Sequence, residues 1–267
     1  MRYDFNDKVI WITGASSGIG EALAYAMSNR GAKLILSSRR EDELERVRLG
    51  CAHPDGVKVI PLDLMDSSMF GAKTAEAIAA FGQIDMMIHN GGVSQRGLAI
   101  ETSMEVQRRV MELDYFSYVG LTQAVLPHFA YRKAGYFVVM SSVMGKVGTP
   151  LRSAYAAAKH ALHGYFDCLR AEVVSQGIGV TLLTPGYIRT NIALHAVTRD
   201  GSPMGKASVN IEKGLSADKA AAQILRVVGR GKYEAYIGKM GPERMALWLN
   251  RWFPGVFTRM APKLVPK

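Results

Sequence analysis

Cysteine is scarce in this chain and follows no recognisable pattern. Only Cys51 and Cys168 occur among 267 residues, far apart and outside any CxxC or Cys/His spacing. Such usage argues against a disulfide framework and against a structural metal site. We therefore expect two free thiols, a reducing compartment and no metal.

Segments for membrane insertion or secretion are also missing. The longest uncharged stretch, residues 115–131, is interrupted by polar residues and a proline. It falls short of the roughly 20 mainly apolar residues that a membrane span needs, so a buried helix is predicted there. No basic segment followed by an apolar one precedes the first apolar run. We therefore predict no signal peptide and a cytoplasmic location.

Basic residues outnumber acidic ones, and the formal net charge is +10. Arg39 and Arg40 form one basic cluster, and much of the remaining excess lies after residue 230, where acidic residues are few. This balance is compatible with nucleic acid, anionic membranes or phosphorylated ligands. No helix-turn-helix, zinc or aromatic-stacking motif is recognisable, so nucleic acid is not an expected partner.

Six short runs rich in Val, Ile, Leu and Phe alternate with longer amphipathic or alanine-rich segments. The runs cover residues 8–13, 32–38, 57–63, 83–90, 135–142 and 178–186. Continuously apolar strands that alternate with helices are typical of a parallel sheet covered on both faces. The predicted fold is α/β, a single Rossmann-type doubly wound parallel sheet flanked by helices, over residues 1–237.

Two segments depart from this alternation. Residues 187–215 are rich in Gly, Ser and Lys and are predicted to form a mobile loop over a binding site. Residues 238–267 form a basic amphipathic extension with an apolar stripe of Met245, Trp248, Leu249 and Trp252. Such a stripe is typical of a helix at a membrane surface. It is equally typical of a helix that packs on its own domain or on a partner subunit, and both interpretations stay open.

The first apolar run leads into VIWITGASSGIGEALA, which admits two interpretations. One is the G-x-S-x-G elbow of a serine hydrolase, with Ser16 as nucleophile. Only one strand precedes Ser16, however, so no upstream loop supplies the backbone N–H of an oxyanion hole. The other places Gly14, Gly18 and Gly20 in the first βα turn, where a dinucleotide phosphate approaches a helix N-terminus. The position of the motif favours the phosphate site.

The end of the second apolar run indicates which dinucleotide binds. A site for NAD usually has an acidic residue there, which holds the ribose 2′-hydroxyl. This chain has Ser38, Arg39 and Arg40 instead, and a guanidinium suits the 2′-phosphate of NADP. The alternative is that both arginines simply begin a charged helix.

Three further side chains indicate proton transfer. Tyr155 and Lys159 are spaced i, i+4, so a helix would place them side by side, and an ammonium lowers the pKa of a neighbouring phenol. Such a tyrosine can exchange a proton with a carbonyl or alcohol oxygen. Ser142, at a strand end, can hydrogen-bond the same oxygen. Taken alone, the pair is also compatible with an ordinary amphipathic helix.

Together these motifs resemble the classical short-chain dehydrogenase/reductase family, in its hydroxysteroid-dehydrogenase-like branch, over nearly the whole chain. In order, they are Thr13-Gly14-x-x-x-Gly18-Ile19-Gly20, Asp63, His89-Asn90-Gly91-Gly92, Ser142, Tyr155-x-x-x-Lys159 and Pro185-Gly186-x-Ile188-x-Thr190. The resemblance implies NADP(H)-dependent hydride transfer, with Tyr155 as acid/base, Ser142 orienting the carbonyl and Lys159 holding the nicotinamide ribose. It also implies a homodimer or homotetramer.

By the same resemblance, the cofactor site draws on most of the strand ends. Its residues are Gly14, Ser16, Ser17, Gly18, Ile19, Gly20, Ser38, Arg39, Arg40, Asp63, Leu64, Asn90, Gly91, Gly92, Tyr155, Lys159, Pro185, Gly186, Ile188 and Thr190. The implied substrate pocket is mostly apolar and favours a hydrophobic ketone, aldehyde or secondary alcohol. It contains Val93, Ser94, Val143, Met144, Leu151 and Tyr187.

One catalytic position departs from the family pattern. Asp114 stands where the family usually has an asparagine that holds a water between Lys159 and solvent. An ionised carboxylate accepts a hydrogen bond but cannot donate one as the amide does, so we expect a working but altered proton relay. The departure also leaves open an alternative function, an NADP-binding sensor with little turnover.

Overall fold

Seven parallel strands form the main sheet of the computed structural model, which describes residues 3–206 and 208–264. They are β1 (Val9–Thr13), β2 (Lys33–Ser37), β3 (Val57–Val59), β4 (Met86–His89), β5 (Gly135–Met140), β6 (Ile178–Pro185) and β9 (Glu234–Ile237). The short strands β7 (Ile188–Arg189) and β8 (Leu215–Ser216) pair with each other beside it. The predicted α/β fold is confirmed.

The strand order across the sheet is β3-β2-β1-β4-β5-β6-β9. After β1, the next strands β2 and β3 lie on one side of it, whereas β4 and the strands that follow it in this sheet lie on the other side. In doubly wound sheets, ligands bind at the carboxyl ends of the strands where this reversal occurs. The fold thus places a crevice at the ends of β1 and β4.

Helices cover both faces of the sheet. Along the chain they are α1 (Gly18–Ser28), α2 (Glu41–Gly50), α3 (Phe70–Phe81), α4 (Met104–Met111), α5 (Ser117–Arg132), α6 (Ser153–Val173), α7 (Val209–Glu212), α8 (Ala217–Gly229), α9 (Pro242–Trp252) and α10 (Pro254–Met260). Because successive strand residues point to opposite faces, Ile10 and Ile12 of β1 pack with α1, α2 and α8, whereas Trp11 packs with α3, α5 and α6.

The uncharged stretch predicted as a buried helix begins in a turn of π-helix, Glu112–Phe116, and continues as α5. Only one face is buried: Tyr118 and Leu121 are fully buried, whereas Tyr131 is 92% exposed. The prediction is therefore corrected to an amphipathic helix. None of the helices that the structure describes has the length and apolar character to cross a membrane.

The last two helices pack on the loop that follows β5. Phe257 of α10 forms a small buried cluster with Val143 and Val147, and Leu249 of α9 packs against it. The rest of the predicted stripe, Met245, Trp248 and Trp252, is exposed. The extension thus contacts its own domain on one side and leaves an aromatic surface on the other. Its final residues, 265–267, lie outside the described residues.

Candidate active site

A cleft of about 1070 Å³ lies at the crevice between β1 and β4. It is lined by Ser142, Asp114, Tyr155 and Lys159 and by all of the predicted cofactor residues except Gly20. Five of the predicted pocket residues line it as well, and Leu151 does not. The residues that the motifs predict from distant parts of the sequence therefore face one space.

The glycine-rich turn is shaped by close backbone contacts. Gly14 adopts φ +63°, and a Cβ at this residue would lie 2.6 Å from the Cα of Gly91. A Cβ at Gly20 would collide with the carbonyl oxygen of Gly14, so Gly20 supports the turn from behind. The Asn90 side-chain amide donates to the carbonyl oxygens of Thr13, at 3.0 Å, and of Gly14, at 3.1 Å. Only glycine therefore fits at positions 14 and 20, and the turn lines the cleft beside the N-terminus of α1, where a phosphate could approach.

Basic side chains border the same turn after β2. Arg40 immediately precedes α2, and its Nη2 donates to the hydroxyl of Ser16 at 3.2 Å. Arg39 is exposed at the cleft. The two arginines therefore lie just before α2 and line the cleft beside the glycine-rich turn. Ser16 has no hydrogen bond to any histidine among the described residues, so the geometry offers no base for the hydrolase interpretation.

The side chains predicted to be catalytic lie on α6 and just after β5. Tyr155 and Lys159 are one helical turn apart and buried, and the Lys159 Nζ lies 5.7 Å from the centroid of the Tyr155 ring. The same Nζ donates to the carbonyl oxygen of Met140 at 3.2 Å. The Ser142 hydroxyl accepts from the backbone N–H of Met144 at 3.1 Å, which fixes it at the strand end.

Burial controls the protonation of Tyr155. Desolvation raises its pKa to about 12, and the Asp114 carboxylate adds to this, while Ser142 and Arg152 act in the opposite direction. The sequence predicts that Lys159 lowers this pKa; in the structure the loss of solvent outweighs the lowering by Ser142 and Arg152. The phenol therefore carries its proton at neutral pH and can serve as a general acid.

Asp114 sits in the π-helical turn and is completely buried. Its Oδ1 accepts the backbone N–H of Val93 at 2.8 Å, and its Oδ2 lies 3.6 Å from the Lys159 Nζ. Burial raises the pKa of Asp114 and lowers the pKa of Lys159, and the attraction between the two charges opposes both shifts. The carboxylate thus lies beside the lysine that neighbours Tyr155.

Several residues that line the cleft were not predicted from the sequence. They include Arg109, Arg152, His195 and Asn210. Residues of the predicted loop 187–215 do lie over the cleft, among them Tyr187, Ile192 and Ile211. The one signal that the sequence offers for Arg152 is its position immediately before the helix with Tyr155 and Lys159. Only its burial, however, distinguishes it from a surface arginine.

Comparison with known proteins agrees with this geometry. A profile of the short chain dehydrogenase family matches residues 8–200. The chain is 42% identical over 270 residues to a protein of Anopheles gambiae named dehydrogenase/reductase SDR family protein 7-like, covering 98% of this chain and 84% of that protein. A crystal structure of a short-chain dehydrogenase from Streptomyces avermitilis is 30% identical with a TM-score of 0.81, over 95% of this chain and 94% of that one.

Two more distant structures share the fold. An alcohol dehydrogenase from Thermococcus sibiricus, complexed with 5-hydroxy-NADP, has a TM-score of 0.74 at 24% identity, over 87% of this chain and 97% of that one. A short chain dehydrogenase/reductase from Burkholderia phymatum, in complex with NAD, has a TM-score of 0.80 at 21% identity, over 99% and 98%. The chain belongs to the short-chain dehydrogenase family, a family of nicotinamide-dependent oxidoreductases.

Proposed function

We propose that this protein is an NADP(H)-dependent oxidoreductase that interconverts a carbonyl compound and an alcohol, with Tyr155 as the acid/base. The observation that carries the proposal is the position of the buried Tyr155 phenol on the same cleft as the glycine-rich turn, beside Lys159 and Ser142. When bound, the nicotinamide supplies or accepts the hydride. The residues of the chain position the substrate and move its proton.

The cradle fits a dinucleotide phosphate, and its border favours NADP. The glycine-rich turn lines the open cleft, and Gly14 packs so closely on Gly91 that a Cβ at Gly14 would collide with the backbone of Gly91. Arg39 and Arg40 border this space, where an enzyme specific for NAD usually has a carboxylate. A 2′-phosphate in this position would gain charge-assisted hydrogen bonds from the guanidinium groups.

Tyr155 is in the protonation state that carbonyl reduction uses. With its pKa raised to about 12, the phenol carries its proton at neutral pH and can give it to the oxygen of a carbonyl that receives hydride. The Ser142 hydroxyl, at the strand end, is placed to hydrogen-bond the same oxygen. The alternative of a sensor without turnover is not favoured, because Ser142, Tyr155 and Lys159 all line the cleft.

A paired fluorescence titration with NADPH and NADH tests the cofactor assignment. We expect NADPH to bind about ten- to a hundredfold more tightly, which is the contribution of a charge-assisted hydrogen bond. Arg39→Ala and Arg40→Ala should reduce this preference, whereas Arg226→Ala, on the exposed side of α8 away from the cleft, should preserve it. Tyr155→Phe should bind NADPH but lose carbonyl reduction by a factor of about 10² to 10⁴. Equal binding of the two cofactors, or no binding, would contradict the proposal.

We propose further that the protein forms a homodimer or homotetramer. We also propose that the exposed side of α9 and α10 contacts an anionic membrane surface. Trp248, Trp252 and Phe253 are each at least half exposed, and Arg251 lies among them. Aromatic side chains next to basic ones are the composition of helices that lie in a membrane interface. Met240, Ala246 and Leu264, at the same end of the molecule, line the cleft.

A further inference from the structure

Arg152 is a buried arginine whose charge no carboxylate neutralises. The residue is 8% exposed, and among residues 3–206 and 208–264 no Asp or Glu forms an ion pair with it. Burial lowers the pKa of its guanidinium, and Arg96 acts in the same direction, opposed by the phenols of Tyr155 and Tyr187. A buried charge without a counterion costs several kcal/mol, so its retention needs a reason.

The hydrogen bonds of Arg152 leave part of the guanidinium unused. Its Nη1 donates to the Ser94 hydroxyl and, at 3.0 Å, to the carbonyl oxygen of Gln95. Its Nε and Nη2 make no hydrogen bond within the described residues, and the side chain lines the cleft. The free N–H groups of such a planar guanidinium can donate two parallel hydrogen bonds to two oxygen atoms of one anion.

The backbone holds this arginine at the reactive end of the cleft. Leu151 adopts φ +66°, a conformation that a leucine rarely takes, and Arg152 then immediately precedes the first turn of α6. Tyr155 follows three residues later and lines the same cleft. An anion bound by Arg152 would therefore lie close to the oxygen that Tyr155 protonates.

The charges around the substrate half of the cleft agree with this position. Beyond the cofactor cradle and the Asp114–Lys159 pair, the charged lining residues are Arg109, Arg152, Lys213, Lys239 and Lys263 against Glu243. Such an excess of basic groups at a cleft attracts anions and increases their rate of association. The apolar lining residues, such as Val143 and Met144, would remain for the rest of the substrate.

We propose that Arg152 binds a carboxylate or phosphate group of the substrate, so that the substrate is an anionic carbonyl compound or alcohol with an apolar remainder. The inference rests on the proposed function, and it refines the purely hydrophobic substrate that the sequence predicts. Arg152 is thereby a specificity-determining residue that holds the substrate in register with Tyr155.

Matched aryl ketones test the proposal. The probes are para-acetylbenzoate, its uncharged methyl ester and para-acetylphenyl phosphate, titrated calorimetrically into the full chain with and without NADP and followed in turnover by NADPH oxidation. We expect at least one anion to bind about ten- to a hundredfold more tightly than the ester. Arg152→Gln should bring this ratio close to one, and Arg152→Lys should retain part of it, because the ammonium keeps the charge without the fork.

Arg108→Gln is the matched control, since Arg108 is exposed on α4 and does not line the cleft; it should keep the wild-type ratio. Equal affinity of the wild type for anions and ester overturns the inference. It is also overturned if Arg152→Gln weakens all probes in the same proportion, which would mean that Arg152 only braces Ser94 and Gln95. Tight binding of an anion without NADPH oxidation would uphold the inference and contradict the proposed function. Equal reduction of the ester and the anions would uphold the proposed function and contradict the inference.

Discussion

At the scale of single residues, three titratable groups with little exposure to solvent line the cleft. Asp114 is fully buried and Lys159 is 4% exposed, and their charged atoms lie 3.6 Å apart. An ionised pair of this kind is tolerated because each charge offsets the desolvation of the other. Tyr155, also buried, is the group whose proton can leave, and its pKa depends on both the burial and the carboxylate.

Replacing Asp114 with asparagine should shift the pH dependence of carbonyl reduction. The Asp114 carboxylate raises the pKa of Tyr155, so its removal lowers that pKa. Reduction needs the protonated phenol and is lost as pH rises through this pKa. The alkaline limb of kcat/KM should therefore move to lower pH in Asp114→Asn, with little change in the affinity for NADPH.

Glu112→Gln is a suitable control for this experiment. It removes a carboxylate from the same π-helical turn, but Glu112 does not line the cleft. Its pH profile should match that of the wild type. If Asp114→Asn also leaves the alkaline limb in place, Asp114 lies outside the proton relay.

At the scale of secondary structure, the sequence predicted the buried strands well and the exposed elements poorly. The six apolar runs all correspond to strands, and the inner ones are apolar because they are covered on both faces; the edge strand β3 is the exception, with Lys58 exposed. The edge strand β9, Glu234–Ile237, was missed since its first three residues are only half-buried and its composition is mixed. The π-helical turn was also missed, because a one-residue expansion leaves no mark in the hydrophobic period.

The residues of the candidate site also differ in how well the sequence predicts them. The glycine turn was predictable because close backbone contacts exclude every side chain except hydrogen there. The side-by-side placement of Tyr155 and Lys159 follows from helix geometry alone. Arg152 could not be identified, because its burial depends on the unusual backbone of Leu151 and on packing against Ser94, 58 residues away in sequence.

Shortening a side chain to alanine should change the free energy of unfolding differently on the two sides of α9. Leu249 is half-buried and packs on the Phe257 cluster, so Leu249→Ala should lower the free energy of unfolding by about 1–2 kcal/mol, below the range for a fully buried leucine. Trp248 is 56% exposed, and Trp248→Ala should change the stability by less than about 0.5 kcal/mol. Chemical denaturation of the full chain measures both. Equal losses would mean that α9 is not docked as the structure shows.

At the scale of the whole molecule, the aromatic surface of α9 and α10 and the substrate cleft lie at the same end. Ala246, on α9, lines the cleft, and Trp248 and Trp252 are exposed on the same helix. A substrate with an anionic group for Arg152 and an apolar remainder would itself be amphipathic and would partition to a membrane surface. Contact of this end with a membrane would therefore shorten the path of the substrate into the cleft.

Co-sedimentation with vesicles tests this arrangement. The full chain should pellet with vesicles that contain an anionic phospholipid and less with neutral ones, and high salt should weaken the binding because it screens the basic residues. Removing both Trp248 and Trp252 by substitution with alanine should reduce the partition coefficient about tenfold or more, the contribution expected from the apolar area of two indole rings. Phe116→Ala, which removes a side chain that is 50% exposed on the π-helical turn, should leave it unchanged.

Light scattering on the same variants separates the two interpretations of the surface. If the tryptophans lie at a membrane, the double variant keeps the oligomeric state of the wild type and loses only vesicle binding. If they lie at a subunit interface, the variant dissociates and pellets as the wild type does. The second result would assign the aromatic surface to a copy of the chain, because aromatic side chains at the centre of an interface contribute most to its stability.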